Sequence, residues 1–370
     1  MLANELKVSS IAFYLPQYHP IPENDAWWGK GFTEWSNVTK VKPLFHGHYQ
    51  PHLPADLGFY DLRLSEARQA QAELARNYGI HGFCYYHYWF NGKRLLERPF
   101  NDVLASGEPD FPFCLCWGNE TWSRRWLGEE RNILQKQTYS PEDDLNHIRW
   151  LIQAFSDSRY IRIKGRPLFL VYRPLDLPEP SRTIETFKNE CLKHGLPEPY
   201  IVGVDSHRPG FNFQELGFDS TLVFEPQLGA LPNFMDDQPK LSKFINNSKL
   251  GILNSKFKVY DYSLACQLMR KRERDFSTHP CVFVSWDNTP RRGEKAVIIV
   301  NSSPAKFEEG LSEAVNTVVN QPADERLVFI NAWNEWAEGN HLEPDLKYGT
   351  QYLEAVKRVM SQPIQETVEC

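Results

Sequence analysis

The stretch Leu327-Val328-Phe329-Ile330-Asn331-Ala332-Trp333-Asn334-Glu335-Trp336-Ala337-Glu338-Gly339 carries two signals, one after the other. Its first residues are an uninterrupted apolar run, the pattern of a strand covered on both faces. Its last residues hold two carboxylates, Glu335 and Glu338, among indoles and an amide. Along a continuing strand their odd spacing sends them to opposite faces. In a helical turn, positions i and i+3 are neighbours, about 5–6 Å apart at Cβ. The stretch therefore reads as a buried strand that breaks into a turn and aims both carboxyls at one place. The competing reading is a solvated loop with two surface acids.

Working outward, the same strand type recurs along the chain. Segments 11–15, 80–86, 112–117, 168–172, 200–204, 220–224, 281–285 and 327–332 give eight strand candidates. Helical patterns lie between them. Ser140 offers an N-cap, followed by Pro141, early acids, and Leu145, Ile148, Leu151, Ile152 and Phe155 at helical spacing. Ala67, Ala70, Leu74 and Tyr78 form a second stripe, stopped by Gly79. Ile184, Phe187 and Cys191 form a third before Gly195, and Tyr352, Ala355, Val356 and Val359 a closing one. Eight strand–helix units predict an α/β fold, a single (β/α)8 TIM-type barrel over residues 8–360, with a polar tail at 361–370. No Gly-rich phosphate loop follows the first strand, which argues against a dinucleotide-binding sheet. Three long connections, 16–61, 118–139 and 227–280, follow strands one, three and six, the last with a helix of its own near 264–272. All three leave the C-terminal strand ends, where barrel enzymes carry their active-site loops.

Composition narrows the function. Lys and Arg number 41 against 47 Asp and Glu, a net charge of −6, and no long basic run occurs. That balance speaks against nucleic acid or an anionic membrane surface as the main partner. No stretch of about 18 apolar residues predicts a membrane span. The seven cysteines are an odd number, and Cys84, Cys114 and Cys116 sit in apolar strand-like runs. They read as buried small hydrophobes of a reducing compartment. The residues from Met1 to Lys7 lack the charged start and apolar run of a secretory signal, so the expected location is cytoplasmic. The 11 Trp and 16 Tyr, many beside polar residues in loops, suit the apolar face and hydroxylated edge of a sugar ring.

If the barrel is right, its strand ends converge. Strand one runs into Tyr14, Gln17, Tyr18 and His19; strand two ends in Tyr85-Tyr86-His87-Tyr88-Trp89. Strand three ends in Trp117-Gly118-Asn119-Glu120-Thr121-Trp122, strand five at Asp205, strand six at Glu225 and strand seven at Trp286-Asp287-Asn288. Acids, amides and indoles at so many ends predict a glycan pocket. Its candidate contacts are Tyr14, His87, Trp117, Asn119, Glu120, Asp205, Glu225, Trp286 and Asn334. Each has a plainer alternative: Asn119-Glu120 as a capped loop, His87 as a core histidine, Asp205 and Glu225 as partners of arginines at the mouth. His46, His48 and His52 have a spacing that invites a metal, but no Cys or close carboxylate accompanies them, so neither metal nor cofactor is expected. No Gly-x-Ser-x-Gly elbow supports a serine hydrolase. Two carboxyls among Trp residues match the requirement of acid–base cleavage of a glycosidic bond.

At these residues the chain resembles a known group. Ala12-Phe13-Tyr14-Leu15-Pro16-Gln17-Tyr18-His19-Pro20, Gly31-Phe32-Thr33-Glu34-Trp35, Gly47-His48-Tyr49-Gln50-Pro51, Trp117-Gly118-Asn119-Glu120 and Trp333-Asn334-Glu335-Trp336-Ala337-Glu338-Gly339 resemble the WbsX-type domain of bacterial polysaccharide gene clusters. That domain is in turn similar to glycoside hydrolase family 99, the endo-α-mannosidases, which are (β/α)8 barrels. The resemblance implies a retaining hydrolase or transglycosylase acting on an α-linked bacterial polysaccharide. Glu335 would be the base on the sugar 2-hydroxyl, through a 1,2-anhydro intermediate, and Glu338 the general acid/base. In family 99 a His precedes the second Glu, where this chain has Ala337, so the mannose preference does not carry over. The alternatives are a sugar-nucleotide-dependent glycosyltransferase of O-antigen or capsule assembly, against which stands the missing Asp-x-Asp motif, and an inactive carbohydrate-binding barrel.

Overall fold

In the computed structural model of the chain, which describes residues 8–124, 129–206, 208–231, 257–270 and 276–362, each apolar run becomes a barrel strand. They are β1 (Ser9–Tyr14), β2 (Gly82–Phe90), β3 (Phe113–Trp117), β4 (Arg166–Val171), β5 (Tyr200–Val204), β6 (Ser220–Val223), β7 (Thr278–Phe283) and β8 (Leu327–Asn331). Every neighbouring pair is parallel, and β1 closes the ring by pairing with both β2 and β8. Ile11 lies opposite Gly82 on one side and Phe329 on the other. Two boundaries move furthest from the sequence reading because pairing, not apolarity, sets them. β2 runs on through His87 to Phe90, where it turns into an antiparallel hairpin with Lys93–Leu95. β7 begins at Thr278, where it pairs with Thr221 of β6.

Among the described residues the longer helices are α1 (Ser65–Asn77), α2 (Arg98–Ser106), α3 (Pro141–Phe155), α4 (Pro180–Lys193), α5 (Tyr262–Arg270), α6 (Pro304–Val318) and α7 (Gln351–Met360). The Ser140 hydroxyl accepts from the Asp143 N–H at 3.1 Å, the expected cap of α3. Gly79 closes α1 at φ +85°, a left-handed conformation that glycine adopts without strain. Between β5 and β6 the chain makes only a 3₁₀ turn, Phe213–Leu216, in place of a full helix.

The barrel interior is filled from opposite sides. Phe13 of β1 meets Tyr86 at 5.5 Å, Phe224 at 5.2 Å and Phe329 at 5.9 Å, and Tyr172 meets Tyr86 and Phe224 at 6.0 and 5.5 Å. Only inward side chains can touch across the ring, so these contacts fix the parity of each strand.

The long connections form one end wall. The first carries the helices Pro22–Trp28 and Trp35–Lys40, and the second a bulged hairpin of Trp122–Arg124 with Glu129–Gln135. The third contains residues 232–256, outside the described residues, and returns through Lys258–Asp261 to α5. A fourth excursion, not singled out from the sequence, follows β7: Trp286–Asp287, a short helical turn Thr289–Arg292, and Val297–Val300. It forms a small three-stranded sheet with Lys258–Asp261. Six cysteines are free and buried among the described residues, and Cys370, with the tail from 363, lies outside them. No helix among the described residues is long and apolar enough to cross a membrane.

Candidate active site

The opening stretch does break as its spacing requires. After β8 the chain passes a cis Asn331–Ala332 peptide, and Asn334–Glu335 pairs antiparallel with Asn340–His341. Trp336–Glu338 between them is a single 3₁₀ turn. Gly339 ends it at φ +58°, and a Cβ there would stand 3.2 Å from the Asp287 Cβ and 3.3 Å from His52. The Tyr18 hydroxyl donates to the Asn334 carbonyl and accepts from the Trp336 N–H at 3.3 Å. Local conformation and these ties bring Glu335 and Glu338 to the same cavity.

Both carboxylates converge on Arg291. Its Nη2 donates to Glu335 at 2.8 Å, its Nη1 to Glu338 at 2.6 Å and its Nε to the fully buried Glu34 at 3.0 Å. One cation thus serves three acids, and the surplus negative charge must be met by protons. Burial pushes Glu335 up to about 8; Arg291 opposes this, while Glu338 and Glu34 add to it. Burial also raises Glu338, again against Arg291. The enclosed Glu335, the more buried of the two, is thus itself elevated. Glu338 reaches further into the cavity, its side chain 21% exposed against 8% for Glu335.

Arg291 stands on a turn built for it. Asp287 accepts from the Thr289 N–H at 2.9 Å, and Pro290 opens the short helix. The other Asp287 oxygen lies 2.6 Å from His48 Nε2 and accepts from Gln50 Nε2 at 2.7 Å. His48 and Gln50, from the Gly47–Pro51 motif of the first connection, thereby anchor the turn that presents the arginine. Glu34 belongs to a second such motif and is held by Asn37 Nδ2 at 3.0 Å.

The cavity at the C-terminal strand ends has a volume of about 500 Å³, within the range of small-molecule sites. Aromatic faces from three connections and two strand ends wall it: Trp27 and Trp28, Trp122, Trp286, Tyr88 and Tyr172. Gly118 is required there, since a Cβ would come within 2.8 Å of the Tyr88 ring.

Of the residues singled out from sequence, Glu335, Glu338, Glu120 and Trp286 line this cavity. Glu120 pairs with Arg173 at 3.2 Å. The others are placed elsewhere. Tyr14 donates to Gln71 of α1 at 2.6 Å, outside the barrel wall. His87 meets His147 of α3 at 2.9 Å and stacks on Trp150, and Trp117, opposite it in the β2–β3 register, also turns outward to His147. Asn119 holds the loop, accepting from the Arg173 N–H at 2.7 Å. Asn334 clamps the ends of β8 and β1, accepting from the Leu15 N–H at 2.7 Å and donating to its carbonyl at 3.1 Å. Asp205 accepts from the Gly210 N–H at 2.8 Å, and Glu225 lies beside Cys281, where the field of α5 reaches it from Arg270. Neither is among the lining residues. Ala337 is fully buried, so the position where family 99 has a His sends nothing into the cavity. Arg291, Arg292, Glu34 and Tyr88 were missed as site residues; two acids aimed at one place without a cation were the available signal for Arg291.

The three histidines of the first connection do not converge. His46 is exposed, His48 serves Asp287, and His52 Nδ1 lies 2.9 Å from His341 Nε2. His52, His341 and Asp345 do offer ligand atoms within 4.8 Å of one another. Yet the two rings share a proton, and Asp345 accepts from the Tyr49 hydroxyl at 2.9 Å and the Tyr348 N–H at 2.6 Å. A completed hydrogen-bond network accounts for this group.

Comparison with known proteins places this geometry. The fold is that of a glycoside hydrolase-like protein (TM-score 0.59, 15% identity, 97% of this chain and 95% of that one). It is also that of the GH99 endo-alpha-mannosidase from Bacteroides thetaiotaomicron (TM-score 0.56, 14% identity, 95% and 96%). The family model described as Glycosyltransferase WbsX matches residues 10–356, and the chain belongs to that family of carbohydrate-active enzymes. It is 43% identical over 365 residues to the uncharacterized protein WxcX of Xanthomonas campestris pv. campestris strain B100, covering 97% of this chain. The chain spans about half the length of that relative, 50%.

Proposed function

We propose that the domain formed by residues 8–360 is a retaining glycoside hydrolase or transglycosylase acting on an α-linked bacterial polysaccharide. The observation that carries this reading is the pair Glu335 and Glu338 on one turn, facing one aromatic-walled cavity. In the first step Glu335 removes the proton of the sugar 2-hydroxyl as that oxygen attacks C1. Glu338 delivers its proton to the departing glycosidic oxygen, and a 1,2-anhydro sugar forms. In the second step Glu338 takes a proton from water, or from an acceptor hydroxyl, as its oxygen opens the anhydro ring at C1. The proton held by Glu335 returns to the 2-oxygen, and two inversions at C1 give retention. Trp and Tyr faces bind the apolar sides of the rings. The buried free thiols support a reducing, cytoplasmic location.

The family description favours a second reading, a sugar-nucleotide-dependent glycosyltransferase of O-antigen or capsule assembly. Incubation of α-linked oligosaccharides with the protein in the absence of nucleotide separates the two. Hydrolysis that disappears in Glu338→Gln supports the first; turnover that requires a sugar nucleotide replaces it with the second.

A further inference from the structure

We infer that Arg292 is a carboxylate receptor in the cavity wall, so that the glycan occupying this site carries an acidic sugar of the uronate class. The inference rests on the proposed reading of the cavity as a glycan site. Arg291 and Arg292 are consecutive on one helical turn and both line the cavity, but their partnerships are opposite. Arg291 is taken up by Glu34, Glu335 and Glu338. The Arg292 side chain has no ion pair or hydrogen bond with any described residue, and its Nε is buried without an acceptor.

A guanidinium is never neutral in a protein, so Arg292 brings a full positive charge with no described partner to the cavity wall. Such a group is best explained by an acceptor that arrives with the ligand. The two terminal Nη groups, which unlike Nε are not sealed off, form a planar fork that matches both oxygens of one carboxylate. The charge balance of the described lining residues favours a monoanion. Among the described lining residues Arg291 and Arg292 are the cations, and Glu120, Glu335 and Glu338 the acids. With Arg291 already engaged, one positive charge remains. A diphosphate, with at least two negative charges facing three carboxyls, would need further cations or a Gly-rich cradle of N–H groups. A single carboxylate needs neither. The aromatic walls would hold the neighbouring rings, with the acidic sugar at the Trp286–Arg292 side.

The test is a panel of α-linked uronate trisaccharides of gluco, galacto and manno configuration, each paired with its carboxyl-reduced counterpart, measured by calorimetry. The expected result is that at least one acidic member binds tenfold or more tightly than its reduced partner, with the ratio falling as salt rises. In Arg292→Gln that ratio drops to within twofold of one, and Arg292→Lys retains part of it. The inference is overturned if no acidic member binds, if the wild type shows no acid preference, or if Arg292→Gln keeps the preference. It is also overturned if a uridine diphosphate sugar binds more tightly than any uronate and loses that advantage in Arg292→Gln. Hydrolysis of a neutral member that depends on Glu338, without acid preference, removes this inference and leaves the proposed function. Acid preference without hydrolysis does the reverse.

Discussion

Two carboxylates of the same segment, eight residues apart, live in opposite kinds of burial. Glu343 accepts from Trp336 Nε1 at 2.6 Å, Tyr60 Oη at 2.8 Å and Gln71 Nε2 at 2.7 Å, and burial lifts it to about 7. It is sealed among neutral donors and is not among the residues that line the site cavity. Glu335 is lifted to about 8, also by burial, but it faces a charged partner on one side and the cavity on the other. A raised pKa alone therefore does not mark a catalytic group. What separates the two is access: Glu343 fixes the indole of Trp336 and so the turn, whereas Glu335 and Glu338 can meet a ligand.

Mutations should widen this contrast. Glu335→Gln and Glu338→Gln are each expected to lower kcat by ~10²–10⁴-fold, the usual worth of a positioned proton carrier, with the fold intact by circular dichroism. Arg291→Gln strands Glu34, Glu335 and Glu338 and should cost about 3–5 kcal/mol in urea unfolding, the penalty for breaking a buried ionic cluster. A stable Arg291→Gln protein would show that the acids are neutral without it. Glu343→Ala leaves donors of Trp336, Tyr60 and Gln71 unpaired and should cost about 2–4 kcal/mol, with activity following the loss of fold.

The pH dependences differ in sign of consequence. A carboxyl whose folded pKa is raised binds its proton more tightly when folded, so it contributes stability at low pH that fades as pH rises. For Glu343 the loss should run from the ordinary carboxylate range up to about 7, at no more than about 1.4 kcal/mol per pH unit, and vanish in Glu343→Gln. For Glu335 acting as a base, kcat/KM should rise with pH up to about 8. A profile that falls through 8 instead would make Glu335 the proton donor. The smallest effect belongs to the exposed His46: His46→Ala should move the unfolding free energy by no more than about 0.5 kcal/mol.

The barrel was legible because buried parallel strands leave continuous apolar runs, and the turn that carries Glu335 and Glu338 because its two acids sit at i and i+3. Side-chain direction was not. Choosing polar residues wherever a strand ends collects both faces of the strand, which is how Tyr14, His87 and Trp117 entered the candidate site while Tyr88 did not. Knowing that Phe13 and Tyr86 point inward reverses each of those choices by the period-2 rule. Arg291 was hidden for a different reason. Its partners lie 257, 44 and 47 residues away, and only closure of the ring brings those loops together. The motif Gly47–Pro51 resembled family sequence without a visible role; the structure gives it one, as the anchor of Asp287 beneath the arginine turn.

The pairing of Glu335 with Glu338 is tested most directly by following the anomeric configuration of the first product by proton NMR, without nucleotide, for wild type and Glu338→Gln. Initial release of the α-anomer from an α-linked oligosaccharide by the wild type, with the variant slowed at least a hundredfold, is the expected outcome. Initial β-anomer, a strict need for a sugar nucleotide, or an unslowed Glu338→Gln would each show that these two carboxylates do not work as the pair described.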